Sequence, residues 1–177
     1  MTSRLAAATL AALLPGIAAA QQAGSLDAEV SAEIGGEPSE VWEFIGDFQD
    51  LTWHPAVHSQ TGEGGNEPGA TRLLVLGEEA GPTIAEELDA HDGAAHSYAY
   101  RITDVDPAVL PVTNYASELS VAPGADGGST VTWSGTFDRA DPAENPDPEM
   151  NDETAVAAVT GIYEAGMTAL IEVFGQP

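Results

Sequence analysis

The 177-residue chain has no cysteine and no lysine. Without cysteine there can be no disulfide scaffold, zinc–thiolate site, thiol nucleophile or iron–sulfur cluster, and no lipid-modified N-terminal cysteine. The cations are four arginines, against 29 aspartates and glutamates, for a formal net charge of −25. A surface this acidic repels a phosphate backbone, so nucleic acid is excluded as an expected partner. Large aliphatic residues and phenylalanine are also sparse, about a fifth of the chain, near the level at which a highly charged chain stays unfolded. Patterning must therefore decide whether the chain folds. Proline and glycine fall between periodic segments rather than running through them, which favours a single folded domain.

The N-terminus reads separately. Met1 to Arg4 is cationic, Leu5 to Leu14 is uncharged, Pro15 and Gly16 break the run, and Ala18-Ala19-Ala20 places small residues before Gln21. This is the layout of a secretory signal peptide cleaved after Ala20. The apolar run is about half the roughly 20 residues a membrane span needs. The expected organisation is a signal peptide over 1–20 and one domain over 21–177, secreted or periplasmic, with no stable membrane insertion after cleavage. The acids are dispersed through the mature chain, as on a solvated surface rather than a tail. Acids without lysine suit a halophile-type protein, because salt screens repulsion between carboxylates. An acidic face that steers a basic partner is the alternative.

Residues 26–34 alternate apolar and polar side chains and read as a half-buried strand. Pro38-Ser39-Glu40 opens a short helix whose apolar side is Val41, Trp42, Phe44, Ile45 and Phe48. A second helical piece is expected over 48–53, and Pro55 then forces extended chain. Six strands follow, at about 55–62, 70–76, 82–91, 94–104, 112–122 and 129–139. His91-Asp92-Gly93 marks a tight hairpin. Residues 140–150 form a loop. From Asn151 a long helix carries Val156, Val159, Thr160, Tyr163, Met167, Leu170, Ile171 and Phe174 along one stripe. Gly161 falls opposite that stripe, and Gly166 lies on its flank, where it permits close approach to a sheet. Strand, short helices, six strands and a long helix make an α+β domain: a curved antiparallel sheet of about seven strands covered by the terminal helix.

That order resembles the helix-grip fold of the START-like, or SRPBCC, superfamily. The wording of the chain is similar too, in Val41-Trp42-Glu43-Phe44-Ile45-Gly46-Asp47-Phe48 followed by Leu51, Trp53-His54-Pro55 and Val57. Tyr98-Ala99-Tyr100-Arg101-Ile102 and Leu110-Pro111-Val112-Thr113-Asn114-Tyr115 resemble the middle strands of the polyketide cyclase/dehydrase branch. Thr130-Val131-Thr132-Trp133 and the terminal helix complete a resemblance over about residues 26–175. A secreted member of this kind is similar to MxaD-like periplasmic proteins. The resemblance implies a cavity between sheet and helix that takes a small hydrophobic or amphipathic, lipid- or polyketide-like ligand. A polyketide cyclase/dehydrase-type enzyme and an accessory protein of a periplasmic, methanol-oxidation-like redox system are the alternatives.

Alternation assigns the lining. Val131, Trp133 and Phe137 share one strand face, as do Tyr98, Tyr100 and Ile102, and Tyr115, Leu119 and Val121. The expected ligand-binding residues are Trp53, Tyr98, Tyr100, Tyr115, Trp133, Tyr163 and Met167, an aromatic wall with a few hydroxyls. No catalytic set can be named, although His54 or Tyr100 could serve as an acid–base group. No metal or other cofactor is expected. His54 and His58 are too far apart on an extended chain for one ion, while His91 and His96 straddle a turn. The acids between Asp141 and Glu153 lack calcium-loop spacing. Arg101 is expected on the outer face in a surface ion pair. A protein partner remains open.

Overall fold

The structure is a computed structural model and describes residues 25–177. The expected signal peptide, 1–20, lies outside the described residues. Strand β1 (Leu26–Ile34) is followed by helix α1 (Pro38–Ile45) and six strands: β2 (Val57–Glu63), β3 (Thr71–Leu76), β4 (Thr83–Asp92), β5 (Ser97–Val105), β6 (Val112–Pro123) and β7 (Ser129–Arg139). Helix α2 (Asp152–Phe174) ends the fold. The strands form one antiparallel sheet in the order β1-β7-β6-β5-β4-β3-β2. The meander β2 to β7 is thus closed by β1, which returns to pair with β7. Helix α2 lies mainly against β1 and β7.

The local chemistry explains the helix ends. Asn151 accepts a bond from the Thr154 N–H at 2.8 Å and caps α2, and Gly175 ends it at φ 79°. The buried face of α2 is Ala155, Val159, Tyr163, Gly166, Met167 and Leu170. By length and composition α2 could cross a membrane, with a mean hydropathy of 1.4 over its best window. In the fold that apolar character serves the sheet.

Two local expectations are corrected. Residues 48–53 form turns, not a helix. Asp47 and Asp50 each accept the N–H two residues on, at 2.9 and 3.0 Å, and such Asx turns compete with helix formation. The Phe48 and Leu51 N–H groups are instead taken by the side chains of Asn66 and Gln60, at 2.8 and 2.6 Å. The β4–β5 turn is also looser than Asp-Gly suggests. Asp92 accepts from the N–H groups of Ala94 and Ala95, and the positive φ falls on His96, at 53°.

The sheet is not continuously paired. The β5–β6 ladder runs from Ser97↔Ser120 to Arg101↔Ala116 and stops, while β5 stays paired to β4 as far as Val105. In the gap lies a depression of about 470 Å³ flanked by residues 101–105 and 112–116.

Candidate functional site

The concave face collects large side chains because alternate residues of β5, β6 and β7 point toward α2. Tyr98, Tyr100, Tyr115, Trp133, Tyr163 and Met167 are all buried, and Trp53 is half-buried. The structure therefore brings all seven expected lining residues to one interior. Trp133 stacks on Tyr163 with ring centres 4.8 Å apart, and Trp53 lies 6.1 Å from Trp133 on the other side. The rings touch one another, so the interior is closed around them.

A hydrogen-bond chain runs through this cluster. The Ser117 hydroxyl donates to the Ser134 carbonyl at 2.8 Å. Its single proton is thereby committed, so it must accept from the Tyr163 hydroxyl at 3.0 Å. Tyr163 in turn accepts from Tyr115 at 2.7 Å. The Trp133 indole N–H is shared between Ser117, at 3.0 Å, and Tyr100, at 3.2 Å. Burial pushes the phenol pKa of all four tyrosines up, that of Tyr163 to about 12. These groups are therefore neutral donors and acceptors at ordinary pH.

Two glycines make the packing possible. A Cβ on Gly166 would lie 2.9 Å from Trp133 Cζ3 and 3.1 Å from His54 Cδ2. A Cβ on Gly135 would overlap the Tyr163 hydroxyl and sit 2.9 Å from the Ala116 carbonyl. Gly166 thus plays the part its position suggested, letting α2 approach the sheet.

His54 is buried and held at both nitrogens: Nε2 lies 2.9 Å from the Ile162 carbonyl and Nδ1 lies 3.2 Å from the Ala56 N–H. The two partners fix one tautomer, with the proton on Nε2. Burial lowers its pKa, and the nearby Arg72 charge lowers it further, against the bond to Ile162. Its lone pair is engaged by the backbone, which removes it as a ready acid–base group. His91 and His96 flank the Trp42 ring, with centres 5.4 and 5.6 Å away, and His91 Nε2 contacts the Gly46 carbonyl at 2.8 Å. Among the described residues no group of three or more His, Asp or Glu side chains is placed to hold a metal.

The most unusual feature, absent from the sequence-based expectations, is a buried ion pair. Arg72 on β3 faces Glu86 on β4 in register, with Nε 2.5 Å from Oε2. Arg72 Nη1 donates to the Phe48 carbonyl at 2.8 Å, and the guanidinium lies 4.2 Å over the Phe48 ring. Burial acts against both charges. Glu86 overrides that for Arg72 and holds the guanidinium charged, while burial pushes the Glu86 carboxyl above the usual carboxylate value against the pull of Arg72. Three buried donor atoms have no hydrogen-bond partner among the described residues: Trp53 Nε1, Arg72 Nη2 and the Tyr98 hydroxyl. The Arg72 cation beside Tyr98 pulls its pKa down, against the larger effect of burial. Arg101 pairs with Glu87 at 2.5 Å and with Asp89 on the outer face, as expected.

Comparison with known proteins agrees with this fold. The family described as polyketide cyclase / dehydrase and lipid transport matches residues 25–175. Among solved structures, the protein XoxI from Bacillus cereus is 35% identical, with a TM-score of 0.71 over 84% of this chain and 94% of that one. A protein from Thermobifida fusca is 31% identical, with a TM-score of 0.68 over 84% of this chain and 93% of that one. The carrot (Daucus carota subsp. sativus) isoallergen Dau c 1.0401 is 34% identical over 93 residues, 49% of this chain and 59% of that protein. The chain spans about half the length of the curated relatives it matches. It belongs to the polyketide cyclase, dehydrase and lipid transport family, with a helix-grip fold.

Proposed function

We propose that this member of the polyketide cyclase, dehydrase and lipid transport family is an exported, salt-adapted domain that holds one small hydrophobic or amphipathic ligand between the sheet and α2. The observation that carries the reading is the interior surface: an aromatic wall in which Trp53 Nε1, Arg72 Nη2 and the Tyr98 hydroxyl lack hydrogen-bond partners among the described residues. A buried donor left unpaired costs about 1–3 kcal/mol. A mostly apolar wall with a few convergent donors is what a site for an amphipathic molecule requires. Trp53, Tyr98, Tyr100, Tyr115, Trp133, Tyr163 and Met167 are the residues we assign to that wall. Their close packing means that a ligand enters by parting side chains, and the open β5–β6 ladder beside Tyr115 offers a place for it. Export rests on the pattern of residues 1–20, and salt adaptation on acid without lysine.

The enzyme reading has less behind it, since His54, the histidine buried in this interior, is engaged at both nitrogens. The closed aromatic packing favours a second reading, a partner-binding accessory protein. Native mass spectrometry of the protein purified from its own host separates the two. A stoichiometric small hydrophobic molecule, released on activation, is expected. A bare protein mass, with nothing recovered by organic extraction, would refute the carrier reading and favour a protein partner.

A further inference from the structure

We infer that Arg72 and Tyr98 form the polar end of this site and select a ligand bearing a neutral oxygen acceptor, such as a ketone or ester carbonyl, over one bearing a carboxylate. This rests on the ligand-binding reading above and specifies the chemistry its ligand must carry.

The argument begins with hydrogen-bond capacity. A guanidinium has five N–H donors in a rigid fork. Glu86 takes the Nε–H and the Phe48 carbonyl takes an N–H of Nη1, while Nη2 has no partner among the described residues. The side chain is fully buried, so bulk water does not supply the missing acceptor. The Tyr98 hydroxyl is equally buried and equally without a partner, and it lies beside the same guanidinium. The two have a common aromatic neighbour: the Phe48 ring lies under Arg72 and 6.1 Å from the Tyr98 ring. The Tyr98 oxygen can face the guanidinium as an acceptor, but the phenol proton and the Nη2 N–H groups have no acceptor among the described residues, and one carbonyl oxygen can accept from both.

Charge then discriminates between acceptors. Glu86 already neutralises Arg72 at 2.5 Å. The other two described arginines are engaged elsewhere, Arg101 with Glu87 and Asp89, Arg139 with Asp152. A bound carboxylate would therefore place a second buried negative charge beside Glu86 with one cation to serve both, or would have to take up a proton. The field of a chain with net charge −25 works in the same direction. A carbonyl adds two hydrogen bonds and no charge.

The test uses the full mature chain and matched probes of one, two and three fused rings, each made as a methyl ketone, a carboxylate and an isopropyl hydrocarbon. The two-ring set is 2-acetylnaphthalene, 2-naphthoate and 2-isopropylnaphthalene. Dissociation constants come from protein-observed NMR titration at neutral pH. In the ring size that fits best, the ketone is expected to bind about tenfold or more tighter than either analogue. Tyr98→Phe should cut that preference severalfold. Arg72→Met combined with Glu86→Leu, which replaces the ion pair by apolar groups of similar size, should abolish it. Should the double variant not fold, Tyr98→Phe decides alone, because it removes only an unpartnered hydroxyl. Equal binding of the three analogues, a carboxylate preference, or a ketone preference unmoved by Tyr98→Phe would overturn this inference and leave ligand binding standing. Binding of none of the nine probes would overturn the ligand-binding reading and this inference with it.

Discussion

Gly161 and Gly166 allow one substitution to be tested twice on one helix with opposite expected outcomes. Glycine inside a helix costs about 0.8–1.0 kcal/mol relative to alanine. At Gly161 an added Cβ meets nothing within 4 Å, so Gly161→Ala collects the propensity gain alone. For a domain of this size that raises Tm by roughly 2–4 °C. At Gly166 the same methyl arrives 2.9 Å from Trp133 Cζ3 and 3.1 Å from His54 Cδ2. Carbon pairs rest at about 3.5–4.0 Å, so Trp133 must yield by about half an ångström or more and His54 by a few tenths. Neither is free to do so: the indole is bonded to Ser117 and Tyr100 and stacked on Tyr163, and the imidazole is tied to Ile162 and Ala56. Overpacking a fixed core costs about 1–3 kcal/mol. Set against the propensity gain, Gly166→Ala should fall between neutral and about 2 kcal/mol destabilising, and the two variants should differ by about 1–3 kcal/mol. Urea unfolding of both in one buffer, followed by tryptophan fluorescence at unchanged m-value, measures the gap. If Gly166→Ala were as stable as Gly161→Ala, the helix would not be seated on Trp133 as described.

Three further outcomes follow from the titratable interior and the surface charge. All four tyrosines are buried with raised pKa values, so the folded state keeps protons that the unfolded state gives up above about pH 10. Their contribution is whole below that pH and drains away as the pH rises through the folded-state values, about 12 for Tyr163; absorbance at 295 nm should show no phenolate until the fold opens, and partial ionisation near pH 10 in the folded protein would contradict the burial. His54 has the opposite sign, a lowered pKa on a base, so its contribution is whole above about pH 6.5 and is lost as the pH falls below it. The slope of stability against pH between about 6.5 and 5 should flatten in His54→Gln, whose amide can still donate to Ile162, and an unchanged slope would exclude His54 as the group responsible. Raising KCl from about 0.1 to 1 M shortens the Debye length from about 10 to 3 Å. Repulsion among the 29 acids should then fade and Tm rise, whereas a flat or falling Tm would sink the salt-adapted reading.

The fold was legible because its elements carry strong periods. The alternation over 26–34 and the three- and four-residue spacing along α2 each admit one arrangement. The same alternation placed Tyr98, Tyr100, Tyr115 and Trp133 on one face. The ion pair was hidden for a physical reason. In β3, Thr71, Leu73 and Val75 lie on one face and Arg72, Leu74 and Leu76 on the other, so both faces are largely apolar and the arginine reads as the outward residue. Yet Leu73 is 41% exposed and Arg72 2%. The clue was in the partner strand, where Glu86 sits between Ile84 and Leu88 on an otherwise apolar face. Opposite charges on the apolar faces of two successive strands invite cross-strand pairing. The turns at 48–53 were misread because their hydrogen bonds go to Asn66 and Gln60, partners that no local pattern announces.

The pairing of β1 with β7 also bears on the order of events in making the molecule. Leu26 faces Phe137, more than a hundred residues away, and no nearer strand offers β1 a ladder. Chain closure over that span is entropically expensive and slow, whereas β2 to β7 join neighbours through short turns. On a chain emerging N-terminus first, β1 appears before every other strand and docks after all of them. Until β7 is complete, the segment beginning at Leu26 is an unpaired edge strand with half its side chains apolar, and that interval is when the protein is most open to capture by a chaperone or by another copy of itself.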